Sequence, residues 1–487
     1  MGLYLAHCPY HIEYPIEITP RPWPWLRVRK RDYNSTKNES SFDAAAQQPR
    51  SSEMTSLVFY GNLTALAYLV IVHILRYRRI RSIVAKYPPL QGTDGKSTSD
   101  YCMTPAEAQK IIWTSSLYDH PMLVEKALEF ALFKTYGIES ISKLLLKTGQ
   151  LSKDINASRR YRTRLQTAIL IQTWVHVPIT GPGSGVEELP KGADPRGAIA
   201  LARTNWLHSK YTISNDDYLY TLSLFIMEPA KWIEKYEWRG LTLLERQAYF
   251  VFWSEIGRRM GINNIPGTLE ALVEWCEEYE QTNMVPSQTS KTVAELTTAL
   301  LLYHVPPFAR GFGKQAVAAL CPERLNRAIM VPEPPVWVIK SVDAVLNLRK
   351  LFIRHLCLPR SSPQCYVPFD TTGLGAPGVC PAGVSVCPVS GKQSPNGGPV
   401  YRLHPFYANN DPWYIGSPSA LGQILANILT VLGIRNPRAT PGPQFKPEGY
   451  RTEELGPSSF EKSGREEVLA NAEAIYGGKI TGPWSFQ

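Results

Sequence analysis

A single histidine lies on the apolar side of a predicted helix, in the segment from Ala202 to Tyr211. The residues that share its face recur at helical spacing and are Ala200, Leu201, Thr204, Leu207 and Tyr211. A neutral imidazole that faces inward can bind haem iron as the proximal ligand and leave the opposite position open for oxygen. The alternative is a core histidine that hydrogen-bonds to a neighbour. The pattern of His208 alone leaves both interpretations open.

Other motifs that could carry chemistry are weaker. Gly373 to Gly378 fits a GxGxxG pattern, but no predicted strand precedes it and a proline occupies the turn, which favours a flexible loop. His7 and His11 flank a proline in an aperiodic arm. The ligand patterns of zinc proteases and di-iron bundles are missing from the sequence. Three Cys-Pro pairs are thiolate candidates for haem, ranked below His208, at Cys321, Cys380 and Cys387.

An apolar segment from Leu57 to Leu75 contains no formal charge. At about 1.5 Å per residue, it is just long enough to cross a hydrocarbon core of about 30 Å. A basic flank follows, made of Arg76, Arg78, Arg79, Arg81 and Lys86. We therefore expect a membrane anchor over residues 53–80 with the C-terminal bulk in the cytosol. A buried core helix is the alternative, and basic residues at 27–31 weaken the charge asymmetry.

Composition sets broad limits on the class of protein. The 487-residue chain is 44% hydrophobic, which supports a large globular domain with appendages. Its net charge of +10 has no accompanying aromatic-basic nucleic-acid motif, so we expect membrane lipid rather than nucleic acid as the acidic partner. Eight cysteines are too sparse for a disulfide scaffold, which favours reduced thiols. The glycosylation sequons at Asn34 and Asn38 are usable only if the N-terminal arm is luminal.

Helical signals dominate after the anchor and predict an all-α fold. Capping patterns begin helices at Thr104 and Thr242, and Gly137, Gly149 and Gly261 end three of them. Further helical runs are predicted at 196–211, 216–227, 268–282, 291–303 and 334–356. The apolar helix that starts after Ser417 and ends at Gly433 is interpreted as core, with a membrane-surface helix as the alternative.

The sequence divides into five predicted regions. They are a disordered arm at 1–52, the anchor with its basic flank at 53–80, a helical domain at 100–358, a Pro/Gly-rich loop at 359–416, and C-terminal helices with a tail at 417–487. A loop of that length inside a compact domain is uncommon, so we expect it to be either functional or partly disordered.

Several blocks, taken in order, resemble the MpaB-type ER-bound oxygenases of fungal secondary metabolism, which are related to the bacterial rubber oxygenases. The blocks run from Phe130 to Ile138, Leu145 to Lys153, Arg203 to Tyr211, Asp217 to Phe225, Trp232 to Arg239, Pro447 to Tyr450 and Glu454 to Pro457. The resemblance covers roughly residues 53–470. It implies a helical oxygenase domain that binds haem b, with His208 as the axial iron ligand.

The same resemblance nominates catalytic residues. Rubber oxygenases carry an Arg-x-x-x-Thr pattern on the helix before the axial histidine, and four residues place both side chains on one face. Thr167 matches the threonine, but the residue four positions before it is Thr163. Arg160 and Arg164 flank that position and are the candidates for the guanidinium. The alternative is a solvated basic face on a surface helix.

Three further polar residues stand near these blocks. Arg203 is a candidate partner for a haem propionate, because guanidinium groups pair well with carboxylates, with a surface ion pair as the alternative. Glu129 and Lys134 lie in an otherwise apolar block. A glutamate abstracts a proton in the rubber oxygenases, but Glu129 does not align with it.

The sequence therefore predicts a single-pass endoplasmic-reticulum protein with a haem-dependent oxygenase domain. Its expected partners are molecular oxygen, membrane lipid and a lipophilic, prenylated small molecule. The resemblance implies oxidative cleavage of a carbon–carbon double bond, and the residues equally allow hydroxylation. The alternative is a non-catalytic membrane scaffold that retains the fold, which the altered Arg-x-x-x-Thr spacing favours.

Overall fold

The computed structural model describes residues 50–90, 101–149, 157–186, 188–303, 305–365, 367, 387–393, 399–405, 411–416, 418–432, 445–481 and 484–485. The side chains of residues 50–57 and of most of the 387–401 segment are not among the described features. Nearly all of the predicted N-terminal arm, both of its sequons and the GxGxxG segment lie outside the described residues.

Helices make up almost all of the regular structure, which confirms the all-α prediction. In the first half of the chain they are α1 (Arg50–Lys86), α2 (Pro105–Trp113), a π-helix (Thr114–Asp119), α3 (Pro121–Thr135), α4 (Glu139–Lys147), α5 (Ala157–His176), α6 (Arg196–His208), α7 (Asn215–Tyr236) and α8 (Leu243–Arg259). In the second half they are α9 (Leu269–Asn283), α10 (Gln288–Leu301), α11 (Arg310–Leu320), α12 (Glu323–Ala328), α13 (Val336–Leu356), α14 (Ala420–Val431) and α15 (Arg465–Tyr476). Short 3₁₀ turns lie at Pro307–Ala309 and Thr452–Glu454.

The α1 helix contains the predicted anchor. Its stretch from Val58 to Lys86 has a mean hydropathy of 1.8 over its most apolar window, and little of that window is buried against the rest of the chain. By length and composition it could cross a membrane. This low degree of burial argues against the alternative of a core helix, because the domain would cover the apolar side chains of such a helix.

Capping residues fix where two central helices begin. Thr104 accepts a hydrogen bond from the Glu107 backbone N–H, and the Glu107 carboxylate accepts one from the Thr104 N–H in return. Thr242 and Glu245 form the same reciprocal pair at the start of α8. Both boxes were predicted from the sequence, because Ser or Thr followed three residues later by Glu satisfies two otherwise unpaired N–H groups.

The core lies where α3 packs against α7 and α2 against α8. The α8 helix is buried almost all round, since Phe250, Phe252 and Trp253 are each at most 1% exposed. Apolar residues on every side of a helix are typical of a helix surrounded by others. Pro229 lies inside α7, and the helix continues to Tyr236, well beyond the predicted end at residue 227.

The C-terminal segment returns to the domain and packs α15 against α6. The Trp206 indole donates to a Glu467 carboxylate oxygen at 2.6 Å, and its ring lies against Gly464. A Cβ atom on Gly464 would lie 2.0 Å from the Trp206 ring, and its φ is +73°. Only glycine tolerates both that contact and that backbone conformation.

Two predictions about the C-terminal part need correction or addition. The α14 helix is not core, since Leu421 and Val431 are 81% and 87% exposed and only Ala426 is buried. Its apolar character had suggested burial, but the described part of the chain does not cover it. The region interpreted as a loop at 359–416 includes an antiparallel pair of strands, β1 (Cys387–Gln393) and β2 (Pro399–Arg402), with Cys387 opposite Arg402.

Candidate functional site

A cavity of about 440 Å³ lies between α3, α5, α6, α7 and α10. Its wall is predominantly apolar and includes Leu132, Leu170, Phe225, Trp253 and Leu300. This volume falls in the range of about 300–1,000 Å³ that is typical of sites for small molecules and cofactors. The cavity is therefore the main candidate ligand site among the described residues.

His208 is the last residue of α6 and lies on the wall of this cavity. Its Nδ1 is buried and makes no hydrogen bond with any described residue. Burial lowers the pKa of His208 from 6.5 to about 4, so the imidazole is neutral at physiological pH. The Tyr218 ring lies beside it, with the ring centroids 5.5 Å apart. A buried Nδ1 without a hydrogen-bond partner does not match the alternative of a core histidine whose ring nitrogens are both satisfied.

These features fit a haem group. A histidine must be neutral to bind iron, and burial keeps His208 neutral. A macrocycle that is largely apolar needs apolar walls, and the cavity provides them on several helices. His208 would hold the iron, and the side chains of α3, α5 and α7 would enclose the ring.

Thr167 and Arg164, both from α5, lie on the same cavity wall as His208. The Thr167 hydroxyl donates to the Thr163 carbonyl oxygen of its own helix at 3.1 Å. The Thr167 hydroxyl oxygen can still accept a hydrogen bond. Rotation about χ1 of Thr167 would direct its O–H group away from the Thr163 carbonyl oxygen. The structure therefore brings two of the three predicted catalytic residues together with the predicted iron ligand.

Arg160 is placed elsewhere. It lines a second cavity of about 300 Å³, together with Arg310 and Lys314 of α11. Leu300 contributes to the walls of both cavities. Of the two arginines that flank Thr163 in the sequence, the structure thus associates Arg164 with the His208 cavity and Arg160 with its neighbour.

Arg203 does not line the cavity but is fully buried beside α15. Its guanidinium donates to the backbone carbonyls of Leu455, Phe460 and Ser463 at 2.7–2.8 Å. Burial lowers the pKa of Arg203 to about 10, against the opposing effect of Glu453 and Glu454. An arginine five residues before His208 points to a different side of the helix, and this side faces the returning C-terminal segment. The predicted role as a propionate partner is replaced by a structural one.

Glu129 was not aligned with a catalytic residue, yet it lies on the cavity wall and forms an ion pair with Arg164. Lys126 contacts the same carboxylate at 3.0 Å. Tyr136 and Thr297 also line the wall. Burial raises the pKa of Tyr136. Helical spacing in α3 groups these residues on one face, but it does not distinguish a cavity from a packed core.

Lys134, in the same block as Glu129, lies outside the cavity. Its Nζ is 2.6 Å from a Glu280 carboxylate oxygen and 3.4 Å from one of Glu228. Burial lowers the pKa of Lys134, but the two carboxylates more than compensate and raise it. A buried ammonium with two counter-ions is a structural ion pair that joins α3, α7 and α9.

Other candidate iron ligands whose side chains the structure describes do not line this cavity. His176 is buried at the end of α5, where burial lowers its pKa to about 3. Cys321 follows α11, and burial raises its pKa to about 12, which keeps the thiol protonated. His304 and Cys380 lie outside the described residues. His208 is therefore the candidate ligand that the cavity supports.

The fold and the cavity define an all-α protein with one candidate membrane-spanning helix and a mostly apolar ligand site that has a histidine on its wall. Residues 192–346 match the family model described as ER-bound oxygenase mpaB/B'/Rubber oxygenase, catalytic domain. That range contains His208, helices α6 to α12 and the first half of α13. It does not include α5, which carries Thr167 and Arg164.

Comparison with individual proteins extends the match over most of the chain. The chain is 30% identical over 426 residues to ER-bound oxygenase mpaB' of Penicillium brevicompactum, which covers 83% of this chain and 88% of that protein. It is 35% identical over 285 residues to ER-bound oxygenase mpaB of Penicillium roqueforti, which covers 55% of this chain and 88% of that protein. The chain belongs to the family of mpaB-type ER-bound oxygenases and rubber oxygenases, which confirms the resemblance seen in its sequence.

Proposed function

We propose that this protein is a haem-dependent oxygenase of the endoplasmic-reticulum membrane that acts on a lipophilic, prenylated secondary metabolite. The observation that carries the proposal is the neutral His208, whose buried Nδ1 makes no hydrogen bond, on the wall of an apolar cavity of about 440 Å³. Membership of an oxygenase family supports the reaction type. The apolar α1 helix and the names of the ER-bound relatives support the location.

Three residues of the cavity wall would have separate roles in the reaction. When bound, a haem supplies an iron that activates molecular oxygen for addition to a carbon–carbon double bond. His208 would hold the iron from one side. Once rotated away from the Thr163 carbonyl oxygen, the Thr167 hydroxyl would donate its hydrogen to oxygen as negative charge develops there, since hydrogen-bond donors in a dry site stabilise such charge. Arg164 would keep a fixed positive charge on the same wall.

The wall chemistry supports the proposed substrate class. Leu, Phe and Trp side chains exclude water and favour a hydrocarbon chain over a polar metabolite. A prenyl chain offers the carbon–carbon double bonds that the reaction consumes. Addition of both atoms of molecular oxygen to one double bond, followed by scission, would give two carbonyl fragments. Hydroxylation at an allylic position is the second outcome that the same residues allow, but it would also need a two-electron reductant and two protons, so that the second oxygen atom leaves as water.

The deciding experiment is the absorption spectrum of the detergent-solubilised, full-length protein with and without reductant. We expect a Soret band that shifts on reduction. His208→Ala should lose most of the bound haem while the helical circular dichroism is retained. His176→Ala is the matched control, because it removes another buried imidazole that does not line the cavity, and it should keep the band.

A non-catalytic scaffold is the second candidate, because Thr163 occupies the position where the rubber-oxygenase pattern has arginine. A scaffold need not bind haem. Purified, folded protein without a Soret band would favour it, and normal haem content in His208→Ala would reject the proposed ligand.

A further inference from the structure

The α13 helix exposes an apolar surface that the described part of the chain leaves uncovered. Trp337, Val345, Leu348, Phe352 and Leu356 are 50–69% exposed. They recur at intervals of three, four and eight residues, so they form one sector of the helix. Lys340, Asn347 and Arg354 lie on a neighbouring sector, where Leu351 is also 53% exposed. A row of large apolar side chains of this length marks an interaction surface rather than scattered surface residues.

The C-terminal end of this surface is attached to the candidate membrane span. The Tyr68 hydroxyl of α1 donates to the Leu356 carbonyl oxygen at 2.9 Å. Arg76 donates to the Cys357 carbonyl oxygen at 2.6 Å, and Arg79 donates to that of Arg360 at 2.9 Å. The end of α13 is therefore fixed beside the part of α1 between Tyr68 and Arg76.

The Tyr68 end of this part lies inside the apolar segment of α1. Tyr68 precedes Leu75, the last residue of the segment, by seven residues, which corresponds to about 10 Å along a helix. Helices that lie in a membrane interface bury their apolar faces by about 5–10 Å. If α1 crosses the bilayer, the exposed row of α13 continues directly from the lipid-facing surface of α1.

Neighbouring residues extend the surface at the other end of α13. Phe312 of α11 stacks on Trp337 with the ring centroids 6.0 Å apart, and Phe308 is 91% exposed. Tryptophan and phenylalanine beside basic side chains are typical of membrane interfaces.

We propose that α13, with Phe308 and Phe312, lies in the cytosolic leaflet of the membrane beside α1 and seats the domain on the lipid surface. The inference rests on the proposed membrane span but not on the cofactor. It gives the protein a second lipid contact besides the anchor. It also places α11, which lines the cavity next to that of His208, at the lipid surface from which a lipophilic substrate would arrive.

The test uses the full-length protein in phosphatidylcholine vesicles that contain anionic lipid. A photoreactive benzoylphenylalanine is introduced by Leu348→benzoylphenylalanine, and after irradiation lipid adducts are measured by mass spectrometry. Asn347→benzoylphenylalanine is the matched control, since it lies at the same point along α13 on the neighbouring sector. Leu66→benzoylphenylalanine, within the apolar part of α1, reports on the span itself.

We expect lipid adducts at positions 66 and 348, and a several-fold lower yield at position 347. Adducts at 66 without adducts at 348 would overturn the seating of α13 and leave the span intact. Absence of adducts at 66 would overturn the span and the inference with it. Protein adducts in place of lipid at 348 would identify the apolar row as a protein interface and also reject the proposal. None of these outcomes depends on haem content, so they do not test the proposed oxygenase chemistry.

Discussion

The Arg164 guanidinium pairs with the Glu129 carboxylate on the wall of the cavity that also contains His208. Arg164 comes from α5 and Glu129 from α3, so the pair joins two helices at the candidate site. Burial lowers the pKa of Arg164, but Glu129 more than compensates and raises it. The cavity wall thus carries a cation from α5 and an anion from α3, and the ion pair holds each of them in place.

Removal of the Arg164 charge tests which arginine serves the site. Arg164→Gln should lower oxygenase turnover and leave haem content close to that of the native protein, because the residue lines the cavity without being the iron ligand. Arg160→Gln is the matched control from the same helix and lines the neighbouring cavity. Turnover per bound haem is the measurement, and a larger loss in Arg160→Gln than in Arg164→Gln would reverse the assignment.

The Thr167 hydroxyl is expected to act on oxygen rather than on iron. Thr167→Val should retain the Soret band and reduce turnover by about tenfold or more, since loss of one pre-oriented donor typically has an effect of this size or larger. Thr167→Ser keeps the hydroxyl and should restore most of the rate. Steady-state assays on haem-quantified protein make the comparison, and equal rates for the valine and serine variants would assign Thr167 to packing.

Arg203 provides a test of structural against cofactor-binding roles. Arg203→Met would leave three buried carbonyl groups without their donor and should destabilise the fold by about 3 to 5 kcal/mol. Arg203→Lys should also destabilise it, because one ammonium group does not reproduce the guanidinium fork. Chemical denaturation and limited proteolysis of the 455–463 segment measure the effect. Selective loss of haem from a variant of unchanged stability would contradict this account.

His176 makes stability depend on pH. Its pKa is 6.5 when exposed and about 3 in the folded protein, so between these values the unfolded chain binds the additional proton. The free energy of unfolding should therefore fall as the pH decreases below 6.5, by up to about 1.4 kcal/mol per pH unit. His176→Gln should have a shallower dependence between pH 7 and pH 5. Denaturation midpoints in detergent at several pH values provide the measurement, and parallel curves would argue against a neutral buried His176.

The proposed topology places residues 100–487 in the cytosol. Protease added to intact microsomes should digest this part of the chain, because the basic residues that follow the apolar segment of α1 favour the cytosolic side. Immunoblotting with an antibody against the C-terminal segment follows the digestion. Glycosylation of the sequon at Asn156 would contradict the topology, since that modification occurs in the lumen.

Local patterns in the sequence determined the elements and the principal candidate. The capping pairs at Thr104 and Thr242, the glycines that end helices, and the uncharged run from Leu57 to Leu75 each act over a few residues, so they predict helix ends and the anchor without tertiary information. The apolar spacing around His208 likewise placed it on the inner face of its helix. The ordered blocks of residues identified the family.

Only the tertiary structure decided which residues each buried helix face contacts. The faces of Arg160, Arg164 and Arg203 depend on which helices pack beside them, and helical spacing gives no information about that neighbour. Arg164 meets Glu129 across a cavity, whereas Arg203 meets the carbonyl groups of a segment some 250 residues later in the chain. The same limit explains α14, whose composition suggested core although no described element covers it. Burial arises from contacts between residues far apart in sequence, and these form only when the chain folds.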